Sequence, residues 1–288
     1  MVVRSGRTEE KKEMSVEMKE IRAVERAWKE VFSTEKSFSG RLNRWQDEVL
    51  YDMYDHNQFV PSNEDTNAVR YKGEISEKEN TEEMFVRGQI SKEDLEKAFV
   101  YQKEHGFNFL KYDARKKLDS AIVNELGLEE CEIYTMLLSK KDITGWKIND
   151  KVAVKDVKKE DIGSDILELE IKNYASLYGH DFTQRKMKYY LKKAKETDGF
   201  HYLAAYLDGK IVGACYAFAK HGYVVMDSLI VNEEARKQYV ATTLMKYIAE
   251  QFDGKMFLHA DADDTPKDMY AKMGFEIVDS LFEYCKTW

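Results

Sequence analysis

The chain has 288 residues, 43% apolar and 12% aromatic, which is long enough for two domains with cores of their own and too apolar for a disordered chain. Its formal charge is −8 with no long basic run, so it lacks the clustered positive surface that a nucleic acid would need. Three separated cysteines (Cys131, Cys215, Cys285) give neither a disulfide framework nor a metal spacing, no stretch could span a bilayer, and no signal pattern opens the chain; a cytoplasmic protein without metal or membrane is expected.

Residues 1–18 are mostly charged and polar and read as a tail. A first domain is expected over 19–140, and the composition break from Ser139 to Asp150 gives a linker at 141–150. A second domain, 151–288, opens with alternation over Lys151 to Val157, then two helical patterns near Asp165 to Leu177 and Thr183 to Lys195. Those helices carry Tyr174, Tyr178, His180, Asp181, Tyr189 and Tyr190, a polar-aromatic set suited to the wall of a pocket. Asp208-Gly209 between two strand patterns predicts a hairpin with positive φ at both residues, and His221-Gly222 predicts a second turn. A strand from Met226 to Val231, a loop, a helix over Thr242 to Phe252, a strand over Met256 to Ala260 and a last helix through Tyr270 complete the pattern. Thr265-Pro266-Lys267-Asp268 reads as that helix's start, with Thr265 as N-cap and Asp268 reaching back, and Gly274 as its stop.

The halves echo each other. Val123 to Glu129 parallels Tyr270 to Glu276, and Phe107 to Leu110 parallels Lys255 to Leu258. The first copy is degenerate: Val123 stands where the second has Tyr270, and only Val86 to Ile90 stands where the second has its long loop.

The order β-αα-βββ-α-β-α-β and the run Arg236-Lys237-Gln238-Tyr239-Val240-Ala241 resemble the GNAT superfamily of N-acetyltransferases, whose loop reads Arg/Gln-x-x-Gly-x-Gly/Ala. Arg236 and Ala241 fit this pattern, and Tyr239 replaces its first glycine. If that position needs a left-handed backbone, a bulky residue costs about 1–2 kcal/mol. The resemblance implies an α/β (α+β) protein of tandem GNAT-like folds, each a mixed, mostly antiparallel sheet flanked by helices. It implies acetyl-coenzyme A (acetyl-CoA) as cosubstrate and an amine, on a small molecule or peptide, as acceptor.

By that resemblance, the pyrophosphate would meet amides at the opening of a helix. The cofactor-binding set is Arg236, Lys237, Gln238, Tyr239, Val240, Ala241 and Thr242, with the main chain of Leu229, Ile230 and Val231 along the pantetheine arm. Tyr270, at the family's acid position, would protonate the departing thiolate, or else only pack beneath the coenzyme. Strand alternation puts Val225, Asp227, Leu229 and Val231 on one face. Asp227, a carboxylate in an apolar strand, reads as a base acting through water or as a structural aspartate bonded to a neighbouring loop. Asp263 stands where the family often has asparagine and is given no role. Two other readings stay open: a non-catalytic acyl-CoA sensor, which Tyr239 and Asp263 favour, and a Fem-like aminoacyl transferase, which the acidic charge opposes.

Overall fold

The computed structural model describes residues 16–31, 92–93, 95–96, 100, 109–114, 117–138, 143–178 and 180–287. In chain order these form α1 (Val16–Val31), β1 (Phe109–Ala114), α2 (Ser120–Leu126), β2 (Glu129–Leu138) and β3 (Val152–Asp156). Then come α3 (Gly163–Tyr178), α4 (His180–Glu196), β4 (Phe200–Leu207), β5 (Lys210–Lys220) and β6 (Tyr223–Val231). The chain ends with α5 (Val240–Gln251), β7 (Lys255–Asp261), α6 (Pro266–Lys272) and β8 (Glu276–Thr287). The Val86 to Ile90 loop lies outside the described residues.

Turn chemistry sets the β4–β5–β6 meander. Asp208 and Gly209 have φ of 50° and 76°, as the hairpin expectation requires, and His221 and Gly222 repeat the pattern with 51° and 76°. Gly254 has φ +114°, and a Cβ there would lie 2.1 Å from the Gly222 carbonyl oxygen. Only glycine fits where β7 enters beside β6.

Among the described residues the strands form one sheet in the order β1-β8-β2-β7-β6-β5-β4-β3. Every neighbouring pair is antiparallel except β6–β7, so the sheet is mixed and mostly antiparallel, as the sequence predicts. Helices α1, α3 and α4 cover one face through Ile21, Val24, Trp28, Ile166, Leu169 and Leu191. Helices α5 and α6 cover the other through Leu244, Met245, Ile248 and Tyr270.

The repeat reaches the backbone. Adding 147 to the bounds of β1 (109–114) gives 256–261, within β7, and adding it to α2 (120–126) gives 267–273, which overlaps α6. Adding it to β2 (129–138) gives 276–285, within β8. Both helices stop alike: Gly127 (φ 60°) and Gly274 (φ 96°) are left-handed, with Leu128 N–H bonded to Val123 O and Phe275 N–H to Tyr270 O. Each copy's last strand inserts between the two strands of the other, giving β1-β8-β2-β7, an order unchanged when the copies are exchanged. Around Ile133↔Leu281 and Tyr134↔Ser280, β2 and β8 pair much as two copies of one strand would across a dimer axis.

Candidate active site

The parallel ladder between β6 and β7 runs only from Tyr223↔Lys255 to Met226↔Leu258. Both strands continue, β6 along β5 and β7 along β2, so their facing edges separate beyond that point. A bulge accompanies the separation: Tyr216 pairs with Asp227 and Ala214 with Ile230, and Ser228 takes φ 51°.

This bulge corrects two expectations. Val225 packs in the core under α1, α3 and α4, whereas Leu229 and Val231 pack against the core under α5 and α6. The extra residue reverses the alternation, so Leu229 and Val231 do not share Val225's face. Asp227 is exposed rather than buried, and its Oδ1 accepts from Ser228 N–H at 2.6 Å, holding the left-handed residue in place.

From Val231 the chain passes through a short 3₁₀ turn (Glu233–Ala235) into the loop. Arg236, Lys237, Gln238 and Tyr239 are exposed, Val240 is buried, and Ala241 and Thr242 are half-buried. Thr243 N–H makes the first helical bond of α5, to Tyr239 O at 2.9 Å. The amides of Val240, Ala241 and Thr242 precede it, so helix geometry gives them no acceptor within α5. Tyr239, the departure from the family's glycine, sits at φ 60° and ψ 19°. The strained alternative holds.

Residues 143–150, expected as linker, close over this loop. Asn149 donates from Nδ2 to Gln238 O (3.1 Å), and its N–H donates to Thr243 Oγ1 (3.1 Å). Trp146 donates from Nε1 to Met273 O (2.9 Å) and stacks on Phe275. A cavity of about 700 Å³ lies between this segment, the start of α5 and helix α6, lined by Lys147, Tyr239, Thr242, Asp268 and Lys272 among others. Composition hid these contacts, since a Lys/Asp/Gly/Asn run reads as loop wherever it docks.

Tyr239→Gly should relieve about 1–2 kcal/mol of left-handed strain against a backbone-entropy cost of about 0.5–1 kcal/mol. The expected result is stability equal to wild type or up to about 1.5 kcal/mol higher. Denaturant melts check this, and a large loss would show that the loop is built around the tyrosine.

Helix α6 starts at the predicted residues, with Thr265 at the N-cap and Asp268 in the first turn, but without the predicted capping bond. The Thr265 backbone has φ −67° and ψ −26°, its side chain bonds no helix amide, and Asp264 Oδ1 accepts from Thr265 N–H at 2.7 Å. Pro266 is the first helical residue, as expected. Tyr270 is 7% exposed, and its hydroxyl has no hydrogen-bond partner among the described residues. Burial, reinforced by Cys215, Asp227 and Asp264, pushes its pKa up to about 12, so the phenol is protonated at neutral pH. Asp263 sits in the exposed turn before α6, its N–H on Asp261 Oδ1 at 2.7 Å.

On the other face, at the bulge, a smaller cavity of about 150 Å³ lies between α3 and α4. Ser228 and Tyr216 form its floor, and Glu170, Tyr174, Lys186 and Met187 are among its walls. Tyr174 is the one member of the predicted polar-aromatic set that lines it; the Tyr178 and Asp181 side chains lie outside the described residues. Tyr189 and Tyr190 pack against the core. Glu170, absent from the sequence reading, is 1% exposed and accepts the Tyr202 hydroxyl.

The Acetyltransferase (GNAT) family model matches residues 164–275. No curated protein matches the sequence. A conserved protein of unknown function from Staphylococcus epidermidis has a similar fold, with 18% identity, TM-score 0.59, and coverage of 72% of this chain and 81% of that one. So does a GCN5-related N-acetyltransferase from Sphaerobacter thermophilus, with 14% identity, TM-score 0.51, and coverage of 76% and 71%. A tandem GNAT protein from the clavulanic acid biosynthesis pathway aligns at 12% identity and TM-score 0.47, over 76% and 73%. Among the described residues no group of three or more His, Cys, Asp or Glu could hold a metal ion, and no helix is long and apolar enough to cross a membrane. Residues 164–275 run from the first turn of α3 to the threshold of β8 and take in the splayed strands, the loop and Tyr270, so the part of the chain that carries the candidate site is the part that matches the acetyltransferase (GNAT) family.

Proposed function

We propose that the protein is an N-acetyltransferase that moves the acetyl group of acetyl-CoA to a primary amine by direct attack on the thioester. The separation of β6 from β7 beside the open end of α5 carries this reading. The splayed edge at Leu229, Ile230 and Val231 supplies main-chain partners for an extended amide-bearing arm, and its N–H groups lie where a thioester oxygen needs a donor. The amides of Val240 to Thr242, with Arg236, Lys237 and Gln238 around them, suit a pyrophosphate. The 700 Å³ cavity, with Lys147 and Lys272 on its walls, has room for the rest of the molecule. Tyr270 gives the leaving thiolate its proton. Asp227, exposed at the bulge, passes protons from the amine side to water.

In this reading the chain comprises a degenerate copy (19–140), a segment (141–150) docked over the site and the active copy (151–288). The N-terminal copy is expected to carry no coenzyme site, because only Val86 to Ile90 stands where the second copy has its donor loop and Val123 stands where it has Tyr270. A liganded structure with coenzyme in that copy would overturn the assignment.

Titration calorimetry and thermal melts of the full chain with acetyl-CoA test the coenzyme assignment. At 100 times its Kd the ligand should stabilise the fold by about 2.7 kcal/mol. No heat and no shift would rule out both the transferase and an acyl-CoA sensor.

A further inference from the structure

We propose that the cavity between α3 and α4 receives the acceptor as a slender primary ammonium, with Glu170 as its counter-ion and first proton acceptor. This inference rests on the acetyltransferase reading and adds a substrate class and a catalytic residue to it.

Position comes first. Ser228 floors the cavity and is the left-handed residue of the bulge, and Leu229, the first residue of the splayed edge, follows it directly. An amine in this cavity therefore enters from the face opposite α5 and α6, at the point where β6 leaves β7. Access to the acyl carbon is from the side away from Tyr270.

Chemistry comes next. A volume of about 150 Å³ corresponds to about five waters, which suits an aliphatic ammonium head and excludes a bulky ring system. Tyr174 and Tyr216 offer aromatic walls to a cation. Glu170 is a carboxylate 1% exposed in a cavity wall, a costly placement that the Tyr202 hydroxyl and the Lys186 charge offset only in part, since its pKa stays raised to about 7. The groups facing it are Tyr174 on its own helix, Lys186 from α4, Tyr202 from β4 and Tyr216 from β5. Tyr202 donates to Oε1, and a carboxylate has a second oxygen to offer. Burial raises the Glu170 pKa to about 7, while the Tyr202 hydrogen bond and the Lys186 charge pull the other way. A carboxyl poised there can take a proton at neutral pH and release it again.

The protons balance. The ammonium gives one proton to Glu170 and becomes a nucleophile; its nitrogen forms the C–N bond as the C–S bond breaks. The thiolate takes the Tyr270 proton, and the second nitrogen proton, lost as the amide forms, restores Tyr270 through solvent. Glu170 returns its proton to water, so the products are amide, thiol and one proton.

The test uses the full chain, acetyl-CoA and a series of unbranched primary alkylamines and diamines, with thiol release as readout. In wild type, kcat/KM for a responsive amine should rise with pH through about 7, as Glu170 ionises. Glu170→Gln keeps the shape and the Tyr202 bond, and should lower kcat/KM by about 10²–10³-fold, abolish that limb and leave acetyl-CoA affinity within about twofold. Tyr202→Phe removes a bond that holds the pKa down, so the limb should move to higher pH. An unchanged limb in Glu170→Gln, or an acetyl-CoA-binding wild type that acetylates none of the series, overturns this proposal and leaves the coenzyme reading standing. Failure to bind acetyl-CoA sinks the coenzyme reading itself.

Discussion

Replacing Tyr270 with phenylalanine is expected to slow acetyl transfer by about 10²–10⁴-fold, the usual cost of losing a general acid, with little change in acetyl-CoA affinity. Stability should separate this role from a structural one. A structural hydroxyl contributes about 1 kcal/mol when bonded, and a buried, unpartnered one costs the fold a comparable amount. The Tyr270 hydroxyl is buried with no partner among the described residues, so the variant should be as stable as wild type or slightly more so. A pKa of about 12 lies well above that of a thiol, which titrates near 8.5 in water. The same dry surroundings raise both groups, as they raise the neighbouring Cys215 thiol, so transfer is closer to balanced than the aqueous values imply. The raised pKa also keeps the acid protonated across the alkaline range, and wild-type turnover should show no basic limb from Tyr270 below about pH 11. Steady-state rates, coenzyme titration and melts on one preparation decide the matter; a wild-type rate in the phenylalanine variant removes Tyr270 from the mechanism.

What the sequence made legible was local. The Asp208-Gly209 hairpin, the loop-to-helix junction at Tyr239 and the Tyr270-to-Gly274 helix end each depend on residues within one turn, so spacing suffices to read them. The repeat was legible too, because a helix closed by a left-handed glycine and followed by a strand leaves the same short signature in each copy. The bulge left no comparable mark. Ser228 takes φ 51° without being glycine, and one inserted residue reversed the faces assigned to Leu229 and Val231. Asp227 looked buried because its neighbours are apolar; the same bulge leaves it exposed. Glu170 was hidden for a different reason: it lies among the polar residues of an ordinary helix, and its partner Tyr202 is 32 residues away. The Trp146 segment was hidden by composition alone.

Helix α1 is the other element that the sequence did not place, and Trp28→Ala measures what it contributes. Apolar Ile21, Val24 and Trp28 recur at helical spacing and are all buried on the sheet. Around them Glu20 accepts the Tyr223 hydroxyl (2.8 Å), Arg22 pairs with Asp279 (2.9 Å), Glu25 with His259 (2.8 Å), and Glu17 with Lys255. The polar contacts fix the helix's register across β6, β7 and β8, whereas burial supplies most of the free energy, since partly exposed pairs contribute little each. Trp28 is 6% exposed and meets Phe200, Tyr216 and Phe218 at centroid distances of 5.1, 6.0 and 5.8 Å. Truncating such a side chain costs about 3–5 kcal/mol, which for a chain of this size lowers Tm by about 10 °C. The effect should reach the chemistry as well, because Tyr216 packs on Trp28 with one edge and lines the α3–α4 cavity with another. KM for the amine should therefore rise while acetyl-CoA affinity holds, because the proposed coenzyme site lies at the start of α5, and α5 and α6 cover the opposite face of the sheet. Unchanged stability would mean that α1 does not close this core, and weakened coenzyme binding with an unaltered amine KM would place the acceptor elsewhere.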